Sequence, residues 1–107
     1  MNIFDKIKAG KNILIAEAGV NHNGNLRLGE KLIKAAKKAN ADCIKFQTYK
    51  ADNLTTKKAK RFWKWSGEKK KSGTQFDSYS ILDKFGYKEY YSLNKLCKKY
   101  KIEFQST

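Results

Sequence analysis

Three short segments of the chain end in polar side chains that together could hold an anion and move a proton. The groups are a carboxylate, an ammonium, an amide and two hydroxyls, at Glu17, Lys45, Gln47, Ser106 and Thr107. A carboxylate exchanges protons, an ammonium pairs with carboxylate or phosphate, and amides and hydroxyls donate hydrogen bonds to the same oxygens. If these residues meet, the sequence predicts a site for a phosphorylated acid.

The segments that carry these residues are predicted to be parallel strands. Ile13–Ala16 predicts a strand buried on both faces, with Glu17 near its carboxyl end. Asp42–Thr48 predicts the second strand and Ile102–Ser106 the third. The carboxyl ends of such strands share one rim, where barrels and open α/β sheets bind ligands. A buried ion pair between Glu17 and Lys45 with a purely structural role fits the same spacing.

Helical patterns connect these strands. From Leu26 apolar residues recur on one face of a helix of about four turns, with Asn25 as its N-cap and Asn40 in the left-handed conformation that ends it. A second helical pattern is interrupted at Gly86 and continues to Tyr100. A strand, a helix and a strand joined by short loops form a right-handed βαβ unit, so the predicted fold class is α/β.

Composition narrows the classes of protein that this chain can be. Its 107 residues, 40% of them hydrophobic, are enough for one small globular domain. The formal net charge of +14 suits nucleic acid, a membrane surface or a phosphorylated metabolite, yet lysines spread along helices and loops are also typical of a solvated surface. No segment approaches the ~20 apolar residues of a membrane span, and no signal-peptide core is present. We therefore expect a cytoplasmic protein without a membrane partner.

The two cysteines indicate neither a disulfide framework nor a zinc site. Cys43 and Cys97 lie far apart, no CxxC spacing occurs, and the chain has a single histidine. Reduced, buried thiols are the expected state of both residues.

The run Asn53–Asp77 predicts a long basic loop, rich in Lys, Ser, Thr and Gly, that contains Trp63 and Trp65. Loops of this length are uncommon in compact domains and are often functional lids or disordered segments. In one interpretation the tryptophans pack on the body of the domain. In the other they stack on nucleic-acid bases, which makes a small basic nucleic-acid-binding module the alternative function.

Three stretches of the sequence together resemble the amino-terminal third of the sialic acid synthase family, which includes N-acetylneuraminate, legionaminate and pseudaminate synthases. They are IAEAGVNHNG, KKANADCIKFQTY and SYSILDKFGYKEYYSLNKLCKKYKIEFQST. The order E-x-G-x-N-H-N-G, K-F-Q, F-x-S-T is more specific than any one motif, and the resemblance is weakest across Asn53–Asp77. It implies a partial (β/α)8 TIM barrel, with the first three parallel strands and their crossover helices in residues 1–107.

The resemblance implies an enzyme that condenses phosphoenolpyruvate with an N-acetylated amino sugar to give a nine-carbon sialic acid and phosphate. Glu17 matches a catalytic glutamate suited to proton transfer or to stabilising a cationic intermediate. Lys45 matches a catalytic lysine that faces phosphoenolpyruvate. Thr107, with Ser106 beside it, matches a turn that holds the phosphate, and Gln47 would lie beside the sugar.

The resemblance also implies a signature loop, a metal and an assembly. Asn21, His22 and Asn23 match the loop over the rim and are expected to bind or position substrate, with positioning favoured over metal ligation for His22. Full-length members are expected to use a divalent metal, Mn or Mg, whose ligands lie outside this chain, and to form homodimers. No nucleic-acid partner is expected. Because such a barrel needs ~250 residues, the sequence predicts a truncated synthase with little activity alone.

Overall fold

The computed structural model describes residues 2–63 and 73–107. Two compact units are present. One is built from the chain up to Thr48 together with Phe85–Thr107, and the other is Tyr49–Lys84. The first unit holds the sheet and every predicted site residue.

The first unit contains a three-stranded parallel sheet in the order β1-β2-β3. The strands are β1 (Ile15–Gly19), β2 (Cys43–Phe46) and β3 (Glu103–Ser106). Three parallel strands connected through helices were predicted, and this is confirmed. β1 begins later than the run Ile13–Ala16 and extends through Glu17, with a shift of register between Glu17 and Gly19.

Five helices are described: α1 (Ile3–Lys8), α2 (Leu26–Lys38), α3 (Ala51–Leu54), α4 (Gln75–Leu82) and α5 (Tyr87–Lys99). The predicted helix boundaries hold at several points. Asn25 Oδ1 accepts a hydrogen bond from the backbone N–H of Leu28 at 3.2 Å, which satisfies one free donor of the first turn of α2. Asn40 has φ 61°, and Gly86 is the N-cap of α5.

The core lies between one face of the sheet and the helices α2 and α5. Ile44 and Phe46 of β2 are buried there, and the full cluster comprises Ala18, Ile33, Ala36, Ala41, Ile44, Phe46, Phe85, Leu93, Cys97 and Ile102. Gly29 brings α2 close to α5, because a Cβ at this position would lie 2.8 Å from Leu93 Cδ2. Residues of the strands that alternate with this set point to the other face.

That other face is largely open, although Cys43, the register partner of Ile15, is fully buried. Ile15 is 49% exposed, although the run Ile13–Ala16 was predicted to be buried on both faces, so this prediction is wrong for the described chain. The reason is the alternation of side chains along a strand. Ala16 and Ala18 pack toward the helical core, whereas Ile15 and Glu17 point to the face that the described helices leave exposed.

Asp42 ties α1 to the amino-terminal ends of β1 and β2. Its Oδ2 accepts a hydrogen bond from the backbone N–H of Leu14 at 2.8 Å, and its Oδ1 pairs with the ammonium of Lys6 on α1. The Leu14 hydrogen bond, and secondarily the contact with Lys6, hold the pKa of Asp42 below its usual value. Ile3 of α1 is buried, so the helix is anchored by an apolar and an ionic contact.

The second unit contains the helices α3 and α4 and a cluster of aromatic side chains. Tyr79 of α4 contacts Tyr49 edge-on, with ring centroids 5.7 Å apart, and contacts Trp63 at 5.6 Å. Trp63 is half-buried and packs on Tyr79 of the same unit, whereas Trp65 lies outside the described residues. The predicted loop Asn53–Asp77 is helical at both ends, since α3 reaches its start and α4 its end. No described helix is long and apolar enough to cross a membrane.

Candidate functional site

Glu17 and Lys45 meet on the open face of the sheet. They are register partners on β1 and β2, and Lys45 Nζ lies 2.9 Å from Glu17 Oε2. The predicted meeting of the two side chains near the carboxyl ends of adjacent strands is confirmed. The side chain of Lys45 is 31% exposed and that of Glu17 is 51% exposed, so the alternative of a buried ion pair does not describe them. An exposed ion pair contributes only about 0–1 kcal/mol to the stability of the fold, so the pair of Glu17 and Lys45 is not explained by stability alone.

Gln47 lies beside this pair because of Gly19. The backbone of Gly19 has φ 55°, and a Cβ there would lie 3.4 Å from Gln47 Oε1 and 3.6 Å from Glu17 Oε1. The carboxylate and the amide therefore both reach the space above the glycine. The backbone of Gln47 is fixed as well, since Tyr90 donates its hydroxyl proton to the Gln47 carbonyl at 2.9 Å.

The hydroxyl residues at the end of β3 divide between the two faces. Ser106 is the register partner of Phe46, which packs on the helices, and its hydroxyl donates to the Phe46 carbonyl at 3.2 Å and bonds with the hydroxyl of Thr48. Ser106 thus holds strand ends together, and a direct contact with substrate stays a prediction. Thr107 donates its N–H to the same carbonyl at 3.2 Å and accepts from Thr48 N at 2.8 Å. The backbone groups of Thr107 are therefore occupied, and its side-chain hydroxyl is the group left to contact a ligand.

His22 is fully buried, at 0% exposure. Its ring stacks on Phe85 with centroids 4.0 Å apart, and its Nδ1 accepts a hydrogen bond from the N–H of Gly24 at 3.0 Å. Burial lowers the pKa of the imidazole, so the ring is neutral and carries its proton on Nε2, which has no hydrogen-bond partner among the described residues. The geometry favours the positioning role for His22, because the ring anchors the loop from below.

Asn21 and Asn23 are the exposed residues of that loop. Successive turns fold it, with the N–H of Asn21 donating to the Ala18 carbonyl and that of Asn23 to the Val20 carbonyl, both at 3.0 Å. Asn23 has φ 52°, a left-handed conformation that asparagine adopts more readily than most residues. Both amides follow the carboxyl end of β1, so the structure places them next to the rim that carries Glu17.

The motifs do not single out Gln105 or Thr48, yet the structure places both at this rim. Gln105 is the register partner of Lys45, so the two side chains share the open face. Counting back in steps of two from Thr107 is the sequence signal that could have found Gln105. Thr48 holds the ends of β2 and β3 together through Ser106, a pairing that no local pattern indicates.

No described group of three or more His, Cys, Asp and Glu side chains is arranged to hold a metal ion. The cysteines are free and buried, as predicted. Burial raises the pKa of Cys97 to about 12 and also raises that of Cys43, so both thiols stay protonated at neutral pH.

Comparison with known proteins assigns the family. Residues 32–107 match the NeuB family. The chain belongs to this family. An N,N'-diacetyllegionaminic acid synthase of Legionella pneumophila is 42% identical over 94 residues, which cover 88% of this chain and 26% of that protein. A pseudaminic acid synthase of Campylobacter jejuni is 58% identical over 45 residues, 42% of this chain and 13% of that protein.

A solved NeuB-type relative extends the likeness to the fold. The N-acetylneuraminic acid synthetase of Leptospira borgpetersenii superposes with a TM-score of 0.63 at 32% identity, covering 89% of this chain and 29% of that one. The predicted α/β class, with three parallel strands of a partial TIM barrel of the sialic acid synthase type, is confirmed. The chain spans no more than 29% of the length of these three relatives.

Proposed function

We propose that the chain supplies part of an active site that condenses phosphoenolpyruvate with an N-acetylated amino sugar, giving a nine-carbon sialic acid and phosphate. The observation that supports this most directly is the 2.9 Å pair of Lys45 and Glu17 at one rim of the sheet, in a chain of the NeuB family. The relatives are named for three different acids, legionaminic, pseudaminic and N-acetylneuraminic. The proposal therefore names the class of sugar and not one particular sugar.

Lys45 is proposed to bind the anionic oxygens of phosphoenolpyruvate. Its ammonium is a compact charge with three N–H donors, and it stands about one-third exposed on the open face. An arriving carboxylate or phosphate competes with Glu17 for those donors. Because the exposed pair is worth only about 0–1 kcal/mol, substrate displaces the carboxylate at little cost.

Glu17 then has a carboxylate free to act on the substrate. A displaced carboxylate can accept a proton or stabilise positive charge that develops at carbon in the transition state. Gln47 lies beside it, with both a donor and an acceptor for sugar hydroxyl or N-acetyl groups. The side-chain hydroxyl of Thr107 would hold the phosphate, because its backbone N–H already bonds to Phe46.

Asn21 and Asn23 are proposed to contact substrate from the loop above the rim, with His22 fixing the loop beneath them. A divalent metal, Mn or Mg, is proposed for the enzyme as a whole. The described residues include no matching set of ligands, so no step here is derived through it. A cytoplasmic location, homodimers and the lack of a nucleic-acid partner also stay proposals.

Calorimetric titration of the chain with phosphoenolpyruvate tests the proposal. Binding is a better test than turnover, because the chain spans so little of its relatives. We expect the wild type to bind and Lys45→Met to bind at least roughly tenfold more weakly, since a hydrogen bond to a charged group is worth about 1.5–3 kcal/mol.

Lys31→Met is the matched control, because it removes the same charge from an exposed position on α2. We expect its affinity to stay within about twofold of the wild type. Equal binding by wild type and Lys45→Met, or equal losses in both variants, would reject the proposed site. Far-ultraviolet circular dichroism is the check that each variant is folded.

A further inference from the structure

We propose that Gln105 orients the anionic group bound at Lys45, acting as an uncharged second donor on the side of the lysine away from Glu17. This rests on the proposed function of the rim and names a further residue of that site. The chemical group it would recognise is the carboxylate or the phosphate of phosphoenolpyruvate.

Strand register puts the three residues in one row. Lys45 is the partner of Glu17 in β1 and of Gln105 in β3. Neighbouring strands lie about 5 Å apart, so Lys45 stands between the other two, which are about 10 Å from each other. Because the neighbours of this row along the strands, Ala16, Ile44 and Phe104, belong to the helical core or pack on it, the row itself faces the open side.

The two neighbours of Lys45 differ in what they offer an anion. Glu17 repels a negative group and must be displaced from the ammonium before substrate can take its place. The carboxamide of Gln105 carries two N–H donors and no charge, and among the described residues it makes no hydrogen bond. An anion on Lys45 that leans toward β3 therefore gains a donor and moves away from the Glu17 carboxylate.

Gln105 is half-buried. A glutamine that orients the anion must contact it, whereas a glutamine that only faces solvent does not. The two roles are distinguished by whether the carboxamide signals change when ligand binds. The side-chain NH2 of Gln105 has its own pair of signals in a 15N–1H correlation spectrum, assigned by their loss in Gln105→Leu and in Gln105→Glu. We expect phosphoenolpyruvate to shift these signals with the same midpoint as calorimetric binding.

Affinity of variants gives the second readout. We expect Gln105→Leu to bind phosphoenolpyruvate roughly tenfold more weakly, since it loses a donor to a charged acceptor. Gln105→Glu keeps the shape, repels the anion and competes for Lys45, and should bind more weakly still. Glu103→Gln is the control on the same strand and face, one row below, and its affinity should be unchanged or higher. Titrations with pyruvate and with inorganic phosphate show which anionic group shifts the Gln105 signals.

The outcomes separate this inference from the proposed function. If wild type binds and Lys45→Met does not, yet Gln105→Leu binds normally and the Gln105 signals do not move, the inference is wrong and the function stands. If wild type does not bind phosphoenolpyruvate, both are rejected. Should Gln105→Leu be unfolded by circular dichroism, the NH2 shifts in the wild type and the affinity of Gln105→Glu decide the matter.

Discussion

At the scale of single residues, the chemistry of the rim depends on side chains that have little to do with holding the fold. Glu17 and Lys45 form an exposed pair, and the carboxamide of Gln105 has no protein partner among the described residues. Glu17 and Lys45 could be predicted from the sequence because a charge near the end of an apolar strand is costly unless it is paired or used. Alternation from Thr107 puts Gln105 on the same face, but its place beside Lys45 could not be predicted, since that depends on register between strands about sixty residues apart in the chain.

The burial of His22 could not be predicted from the sequence. The loop motif predicts a positioning role for it but not its burial, which comes from tertiary packing on Phe85. Local sequence does not carry this information, because Phe85 lies in a segment that follows the whole second unit.

The buried imidazole predicts a dependence of stability on pH. Its pKa in the folded chain is lowered from the usual 6.5, so the unfolded chain binds more protons near and below that pH. The stabilisation is complete above about pH 6.5 and is lost as the pH falls toward the lower folded pKa, by at most about 1.4 kcal/mol per pH unit. Urea unfolding at several pH values between 7.5 and 5.5 measures this change in the free energy of unfolding.

Since His22 is the single histidine of the chain, His22→Phe is a clean control for this effect. Phenylalanine keeps a ring against Phe85 and removes the titrating group. We expect the variant to lose the slope between pH 7.5 and 5.5, and a slope equal to that of the wild type would disprove the assignment.

At the scale of elements, patterns locate helices better than strand ends. Asn25 marks a helix start and Gly86 a break between helices that the structure confirms, because caps and breaks are local chemistry. β1 begins two residues later and ends three residues later than the predicted run, since an apolar run shows only that a strand is near. Gly19 at its end has a positive φ. Burial on both faces was inferred from that run, yet the described helices cover one face.

Close packing of α2 on α5 predicts that Gly29→Ala is destabilising. A Cβ there would lie 2.8 Å from Cδ2 of the fully buried Leu93, which has little room to move. Overpacking costs about 1–3 kcal/mol, against a gain of about 1 kcal/mol in helix propensity, so we expect a net loss of roughly 1 kcal/mol. Urea denaturation monitored by circular dichroism measures the loss.

The double variant Gly29→Ala with Leu93→Val identifies the cause. Valine removes the atom that the new methyl group meets, so the two changes should cost less together than the sum of the single effects. Additive losses would show that the close approach of α2 to α5 is not the source.

At the scale of the whole molecule, the family and the α/β class were predictable from motifs in order along the chain, whereas the division into two units was not. Tyr49–Lys84 was predicted mainly as loop because its residues lack a clear period, and its described residues pack through aromatic contacts such as Tyr79 with Trp63. The +14 charge also has a structural part, since Lys37, Lys38, Lys98 and Lys99 lie in the last turns of α2 and α5, where they offset the helix dipoles.

The central claim is that anionic substrate binds where β1, β2 and β3 end, and mapping backbone amide shifts on titration with phosphoenolpyruvate tests it most directly. We predict the largest shifts at Glu17, Lys45, Gln47 and Thr107, with little change in the cleft at the opposite ends of the strands that Lys6, Lys37 and Lys101 line. Shifts centred on that cleft, or spread evenly over the helical lysines, would contradict the account.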